Sequence, residues 1–314
     1  MRIALCYIAT ILIWSTTPLA FKWSTAAGFI PGIIGRLLLA SVCGALLLLI
    51  LRRLPPWNDA ARRLYLVGGL SLFLTWFTIG WGMQFIPSGW VSVIFGLTPI
   101  MTSIISTYWY EENRLGLARL GSLVLSVAGL GVIFQHSLKL GHEAAWGIAA
   151  NVLGTFFYAV TMVWMKRINA GVNAFVTTTT SHSVALLMFA AAGFLTGAGF
   201  ETEVTARTLG AIAYLGIIGS IGGYTMFFYL LAHLDTTRIA AISLVTPILS
   251  VLIGHAFNAE PLNAEIWTGT GMVVLGLLWF EIDSTMTRKA HAKSGAPTGV
   301  GAFAPTPNRE RGLP

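Results

Sequence analysis

Two short stretches of this chain set a hydroxyl beside a proline inside apolar sequence: Leu97-Thr98-Pro99-Ile100 and Val245-Thr246-Pro247-Ile248. A proline within a helix has no N–H to give the carbonyl one turn back, and it bends the axis. The chemistry on offer is a released main-chain carbonyl next to a threonine hydroxyl, a polar pair able to hold a solute. In lipid such a carbonyl must be satisfied by a neighbour, a hydroxyl or water in a cavity. Helical spacing extends both surfaces. Ser92, Phe95, Gly96 and Pro99 share one face, and Ala240, Ser243, Leu244 and Pro247 occupy the matching places. Faces mixing small, polar and apolar groups suit a solute cavity; they equally suit close helix packing.

Other groups with chemical potential are sparse. Arg36 is the one basic residue inside an early apolar stretch. Its fork could bind a carboxylate or phosphate, or its stem could snorkel to the nearby outer interface. His182 stands among Thr177 to Thr180, Ser181 and Ser183. Histidine titrates near neutrality, which makes His182 a proton-coupling candidate; a neutral ring held by those hydroxyls is the alternative. Trp14, Trp76, Tyr158 and Tyr224 lie deep in apolar stretches, where they can stack on an organic solute or simply pack. Trp23, Trp90, Trp109, Trp146, Trp267 and Trp279 fall near stretch ends, as an interfacial belt requires. Thirteen residues after each proline stands an acid, Glu112 and Glu260. Each could anchor the amides that start the next helix, or couple to protons.

An enzyme buried among these stretches would need paired carboxylates, a metal cluster or a nucleophile with its base. The apolar stretches are nearly devoid of acids, and no catalytic set is found. Cys6 and Cys43 lie far apart, and His136 and His142 lack a third ligand, so neither a disulfide framework nor a metal site is expected. No phosphate-binding glycine loop occurs, which argues against ATP as direct fuel. No cofactor is implied.

These groups must be positioned by membrane-spanning helices. Of the 314 residues, 55% are hydrophobic and 10% charged, so lipid is the solvent. Runs long enough to cross a bilayer lie at approximately 3–21, 30–51, 64–86, 88–108, 117–135, 144–165, 174–197, 208–231, 237–257 and 265–282. Ile86-Pro87-Ser88-Gly89 predicts a tight turn between the third and fourth. With the N-terminus inside, the inner connections collect most of the arginines and lysines, and the outer side receives only Lys22, Lys139 and Arg207. That asymmetry predicts both termini in the cytoplasm and a multi-pass protein of the cytoplasmic (inner) membrane. The net charge of +7 reflects this orientation and not affinity for nucleic acid. From about Ser284 the composition turns to Gly, Ala, Pro, Arg and Lys, which reads as a disordered basic tail over 284–314.

The echo between halves goes beyond the Thr-Pro motif. Gly121 and Gly269 follow the two acids at equal distance, and Trp14 precedes Lys22 by the same eight residues as Tyr158 precedes Lys166. Five spans per half is an odd number, so the second copy enters from the opposite face. The expected fold class is an all-α integral membrane protein of ten transmembrane helices, arranged as two inverted five-helix repeats at 1–139 and 140–283. Such a pair offers two states of similar energy by exchanging the roles of its halves, the basis of alternating access.

On these residues the chain resembles an EamA-type member of the drug/metabolite transporter superfamily. The resemblance rests on Ile13-Trp14-Ser15 with Lys22, on Arg36, and on Leu97-Thr98-Pro99 with Glu112, Gly121 and Gly129-Leu130-Gly131. Their counterparts Val245-Thr246-Pro247, Glu260, Gly269 and Gly276 complete it. It covers roughly residues 3–282 and implies a central cavity between the halves that moves small metabolites, often outward. Strict symmetry fails at Asn113 and Pro261, and at Arg36, whose second-half position is near His182. The expected function is secondary transport of a small organic metabolite, an amino acid or related compound, in the direction of export. A channel or receptor, or a membrane-embedded enzyme, is the competing class. The expected partners are that metabolite and the lipid bilayer. The glycines of the fifth and tenth spans suit close contact within one chain or a homodimer surface, and the sequence leaves that choice open.

Overall fold

The computed structural model describes residues 2–110, 117–138, 142–168, 170–234 and 236–294. All regular structure among them is helical. In chain order the helices are α1 (Arg2–Ser24), α2 (Phe29–Ile50), α3 (Asp59–Gly82), α4 (Ser88–Phe95), α5 (Thr98–Tyr110), α6 (Leu117–Leu138), α7 (His142–Ile168), α8 (Ala174–Thr196), α9 (Ala206–Ala213), α10 (Gly223–His233), α11 (Thr236–Asn258) and α12 (Ala264–Ser294). A π-helical stretch, Tyr214–Gly222, joins α9 to α10 without a break. Eight of the resulting segments are long and apolar enough to cross a membrane. Two shorter apolar helices, Leu117–Ile133 and Ile242–Asn258, accompany them.

Local sequence explains where several helices start and stop. Asn58 caps α3, its side chain accepting from Ala61 N at 2.8 Å, and Thr205 caps α9 through Thr208 N at 3.2 Å. Gly197 ends α8 in the left-handed conformation (φ 65°) that favours glycine. α12 runs to Ser294, so residues 284–294 continue a helix where composition predicts the start of a tail. The alanines, lysines and arginine of this segment are good helix formers, and the span before it supplies the nucleus. Residues 295–314 lie outside the described part.

The helices pack in a recurring set of pairs. α6 lies along α12, and α2 along α8. α3 packs on α7 and α8, while α1 packs on α10 and α11 and α2 on the π-helical stretch. α4 meets α11, and α5 meets α7. The α6–α12 seam is built from glycine: a side chain at Gly129 would lie 2.6 Å from Gly269 O, and one at Gly269 equally close to Gly129 O. Gly121 and Gly276 also face partners across this seam, whereas Gly131 has open space beside it. The close contact expected of these glycines is thus used within the chain, with Gly131 as the exception. Arg119 Nε donates to Asp283 Oδ2 at 3.3 Å and ties the same pair of helices at one end.

Large apolar side chains cover the outside of the bundle, among them Leu5, Leu12, Leu46, Leu187, Phe194 and Leu275. Trp109, Trp146, Trp267 and Trp279 are exposed, as a belt requires. Trp90 is the correction: it is 1% exposed and sits in the core beside Val91, Val93 and Ile94. Proximity to a span end marks depth along the membrane normal and does not distinguish the lipid face of a helix from its core face.

Candidate functional site

The Thr-Pro motif takes two forms. In the first half the chain is interrupted at Gly96 and Leu97, between α4 and α5. Leu97 N–H donates back three residues to Ile94 O at 3.0 Å, a tightened turn. Pro99 therefore stands in the first turn of α5 rather than mid-helix as its sequence position predicts. This is a place where its missing N–H is tolerated. The carbonyl it leaves is that of Phe95, and Thr98 Oγ1 donates to it at 2.6 Å. In the second half Pro247 lies inside the uninterrupted α11. Pro247 is buried, Ser243 and Thr246 are half-buried, and Leu244 packs against the main core.

Ser92, on the same face as Pro99, donates to Ser250 Oγ at 2.8 Å, and Ser250 donates in turn to Ser15 O at 2.8 Å. One chain of hydroxyls thus links α4, α11 and α1. Phe95, one turn on, lies 4.9 Å from the ring of Tyr158 on α7. Trp14 faces Phe227 on α10 at 4.7 Å. Together these contacts surround the junction of α1, α4, α7, α10 and α11.

A second group of the sequence-identified residues meets close by. Arg36 is 5% exposed and does not snorkel. It points into the bundle, where α2 is flanked by α8 and the π-helical stretch. Its guanidinium carbon sits 3.8 Å above the ring centre of Trp76 and 5.0 Å from that of Phe21. His182 lies 5.6 Å from the Trp76 ring and 6.2 Å from that of Tyr224. Tyr224 adjoins both Arg36 and Tyr158. Arg36 and His182, counterparts in the sequence repeat, thus reach one tryptophan from two helices that pack together.

His182 is held by a carbonyl and not by the hydroxyls around it, its Nδ1 being 2.7 Å from Thr178 O. A carbonyl can only accept, so Nδ1 carries the proton, and Nε2, buried without a partner among the described residues, is the remaining basic atom. A cavity of about 10 Å³ adjoins it, lined by Ala40, Phe175, Thr178, Thr179, Ser220 and Ile221. That is roughly room for one water. A larger hollow of about 620 Å³ lies between α3 and α7, at Arg63, Leu66, Trp164 and Arg167. Leu66 and Trp164 are exposed, so it faces outward, and it contains none of the site residues.

At the end of the bundle opposite Arg63 and Arg167, Glu260 ties helix ends together. Its carboxylate accepts from Ser88 N at 2.9 Å, Ser88 Oγ at 3.0 Å, Gly89 N at 3.3 Å and Asn258 Nδ2 at 3.0 Å. Lys22 Nζ is 3.7 Å away and donates to Ile86 O at 2.9 Å. Trp23 Nε1 donates to Asn258 Oδ1 at 3.1 Å. An acid that anchors helix amides is what the sequence predicts, but the helix is α4, 172 residues earlier, and not the next one. Glu112 lies outside the described residues.

Sequence reasoning omitted Phe21, Phe227, Ser15 and Ser250 from the site. Phe21 and Phe227 carried no signal beyond apolarity. Ser250 is detectable, since it falls one turn beyond Pro247 on the same face. No group of three or more metal-ligating side chains forms among the described residues.

The model of the EamA-like transporter family matches residues 1–135 and again 145–281. The chain is 26% identical over 243 residues to an uncharacterized transporter of Archaeoglobus fulgidus, covering 77% of this chain and 84% of that one. It is 23% identical to an uncharacterized inner membrane transporter of Escherichia coli, covering 74% and 75%. A probable amino-acid metabolite efflux pump of Salmonella typhimurium is 24% identical over 201 residues, covering 61% and 66%. A crystal structure at 19% identity superposes with a TM-score of 0.62 over 89% of this chain and 97% of the other.

Proposed function

This multi-pass membrane protein belongs to the EamA-like transporter family, and on that footing we propose that it is a secondary transporter that exports a small organic metabolite, an amino acid or a related compound. It works by alternating access between two inverted five-helix repeats, 1–139 and 140–283, with both termini in the cytoplasm. The observation that carries this reading is the pairing of helices. Exchanging α1 with α7, α2 with α8, α3 with the α9–α10 segment, α4–α5 with α11 and α6 with α12 maps the contacts onto one another: α1–α11 onto α7 with α4–α5, and α3–α8 onto α2 with the π-helical stretch. A polar and aromatic cluster occupies the junction, while Glu260 ties helix ends together on the outer side. A likeness to a probable amino-acid metabolite efflux pump supports the cargo class. The basic side of the bundle, at Arg62, Arg63, Lys166 and Arg167, supports the orientation.

Metabolite profiling of cells that overexpress the wild type or a Pro99→Ala/Pro247→Ala double variant tests the reading. A compound that accumulates outside only with the wild type, at equal membrane abundance, identifies the cargo. Unchanged profiles over a broad panel sink the export reading, and flux that never saturates favours a channel. In the same assay, transport whose pH dependence survives His182→Gln excludes His182 from proton coupling.

A further inference from the structure

Among the described residues Arg36 is a buried cation without a counter-ion. No ion pair among the described residues includes it, and none of its N–H groups donates to a described acceptor, Nε being buried and unpartnered. Stacking on Trp76 and approaching Phe21 offsets only part of the several kcal/mol needed to desolvate such an ion. The described acids that pair do so elsewhere: Glu260 with Lys22, Asp59 with Arg62, Asp283 with Arg119. A fork stacked on an indole keeps its edge available for planar, two-point binding of a carboxylate.

Resting on the transporter reading, we propose that Arg36 is the anchor for the cargo's carboxylate, and that the cargo is a monocarboxylate with an apolar or aromatic body. One cation meets one negative charge; His182, whose Nδ1 already donates to a carbonyl, adds no charge and offers Nε2 as an acceptor to a donor elsewhere on the cargo, such as an α-amino group. A dianion such as a phosphate ester would keep one charge uncompensated in this cluster. Phe21, Trp76 and Tyr224 supply the apolar wall against which the rest of the molecule stacks. Acids are therefore accepted, and their amides, close in shape but without the carboxylate, are rejected.

Thermal unfolding of the purified full-length protein with matched probes tests this: L-phenylalanine, L-leucine and phenylacetate against L-phenylalaninamide, L-leucinamide and phenylacetamide. At least one acid should raise the unfolding temperature of the wild type while its amide does not. Losing a hydrogen-bonded charge contact should weaken that acid roughly 10- to 100-fold in Arg36→Gln, with Arg36→Lys in between. Acids without effect, amides as good as acids, or undiminished acid binding by Arg36→Gln would each overturn the anchor. Should Arg36→Gln fail to fold, the acid–amide comparison on the wild type decides alone. A cargo exported equally by the wild type and Arg36→Gln removes the anchor and spares the transporter. Acid-specific stabilisation without export of anything does the reverse.

Discussion

In the first half of the molecule the Thr-Pro pair opens a helix, α5; in the second it lies within a 23-residue helix, α11, that does not stop. The missing N–H is common to both copies, so it does not by itself end a helix. The residue three positions before the proline differs: Gly96 in one copy, Leu244 in the other. Glycine is the poorer helix former by about 1 kcal/mol. Space also differs. A side chain at Gly96 would lie 3.1 Å from Val93 O and 3.2 Å from Leu277 on α12, whereas Leu244 finds room against the core. The two arms of the repeat therefore share a fault line and differ in whether it opens. The interrupted arm carries Phe95 against Tyr158 and so adjoins the cluster around Arg36.

Removing what holds the interrupted arm should have the largest effect. Glu260→Ala leaves the first amides of α4 without their acceptor and Lys22 without its ion-pair partner, and unfolding in detergent should become easier by about 3 kcal/mol. A loss under 1 kcal/mol would mean that α4 is held by packing alone. Making the continuous arm resemble the other comes next. Leu244→Gly should cost about 2 kcal/mol, half from helix propensity and half from lost apolar contact. Amide exchange should quicken around 244–246 if the neighbour of the proline decides continuity, and stay unchanged if it does not. The smallest effect is confined to the first copy. Thr98→Val strips the hydroxyl from the Phe95 carbonyl and should cost about 1 kcal/mol. Adding Pro99→Ala restores a main-chain donor and should recover most of it. A double variant no better than Thr98→Val would show that this carbonyl does not need a protein partner.

The spans, the family resemblance and the Thr98 rescue of a proline-released carbonyl were legible in the sequence because each depends on residues within one turn or on composition. Residues of the central cluster could be named individually from depth and residue type. Their meeting could not, since Arg36, Trp76, His182 and Tyr224 come from four helices whose rotations are set by packing. Glu260 shows the same limit. Its spacing from Pro247 marks it as an anchor, but nothing local says that the amides it binds belong to Ser88 and Gly89. Arg36 was ambiguous because a depth of six or seven residues serves a snorkelling side chain and a buried one alike. The asymmetry between Gly96 and Leu244 was visible in the letters, yet its weight depended on Leu277 standing opposite.

The π-helical stretch Tyr214–Gly222 carries more residues per turn than an α-helix, and Ser220 Oγ bonds five residues back to Leu215 O. Its glycines let it lie against α2, a side chain at Gly216 falling 3.0 Å from Arg36 O. Were the segment to relax into ordinary α-helical bonding with all its residues kept, everything beyond it would turn by about 100°. Tyr224 and Phe227 would swing away from His182 and Trp14, while the helix itself grew more regular. Here a gain in helical order would silence the molecule, and a one-codon deletion would take up the slack and return both rings toward their partners, so that sequence length is itself part of the site.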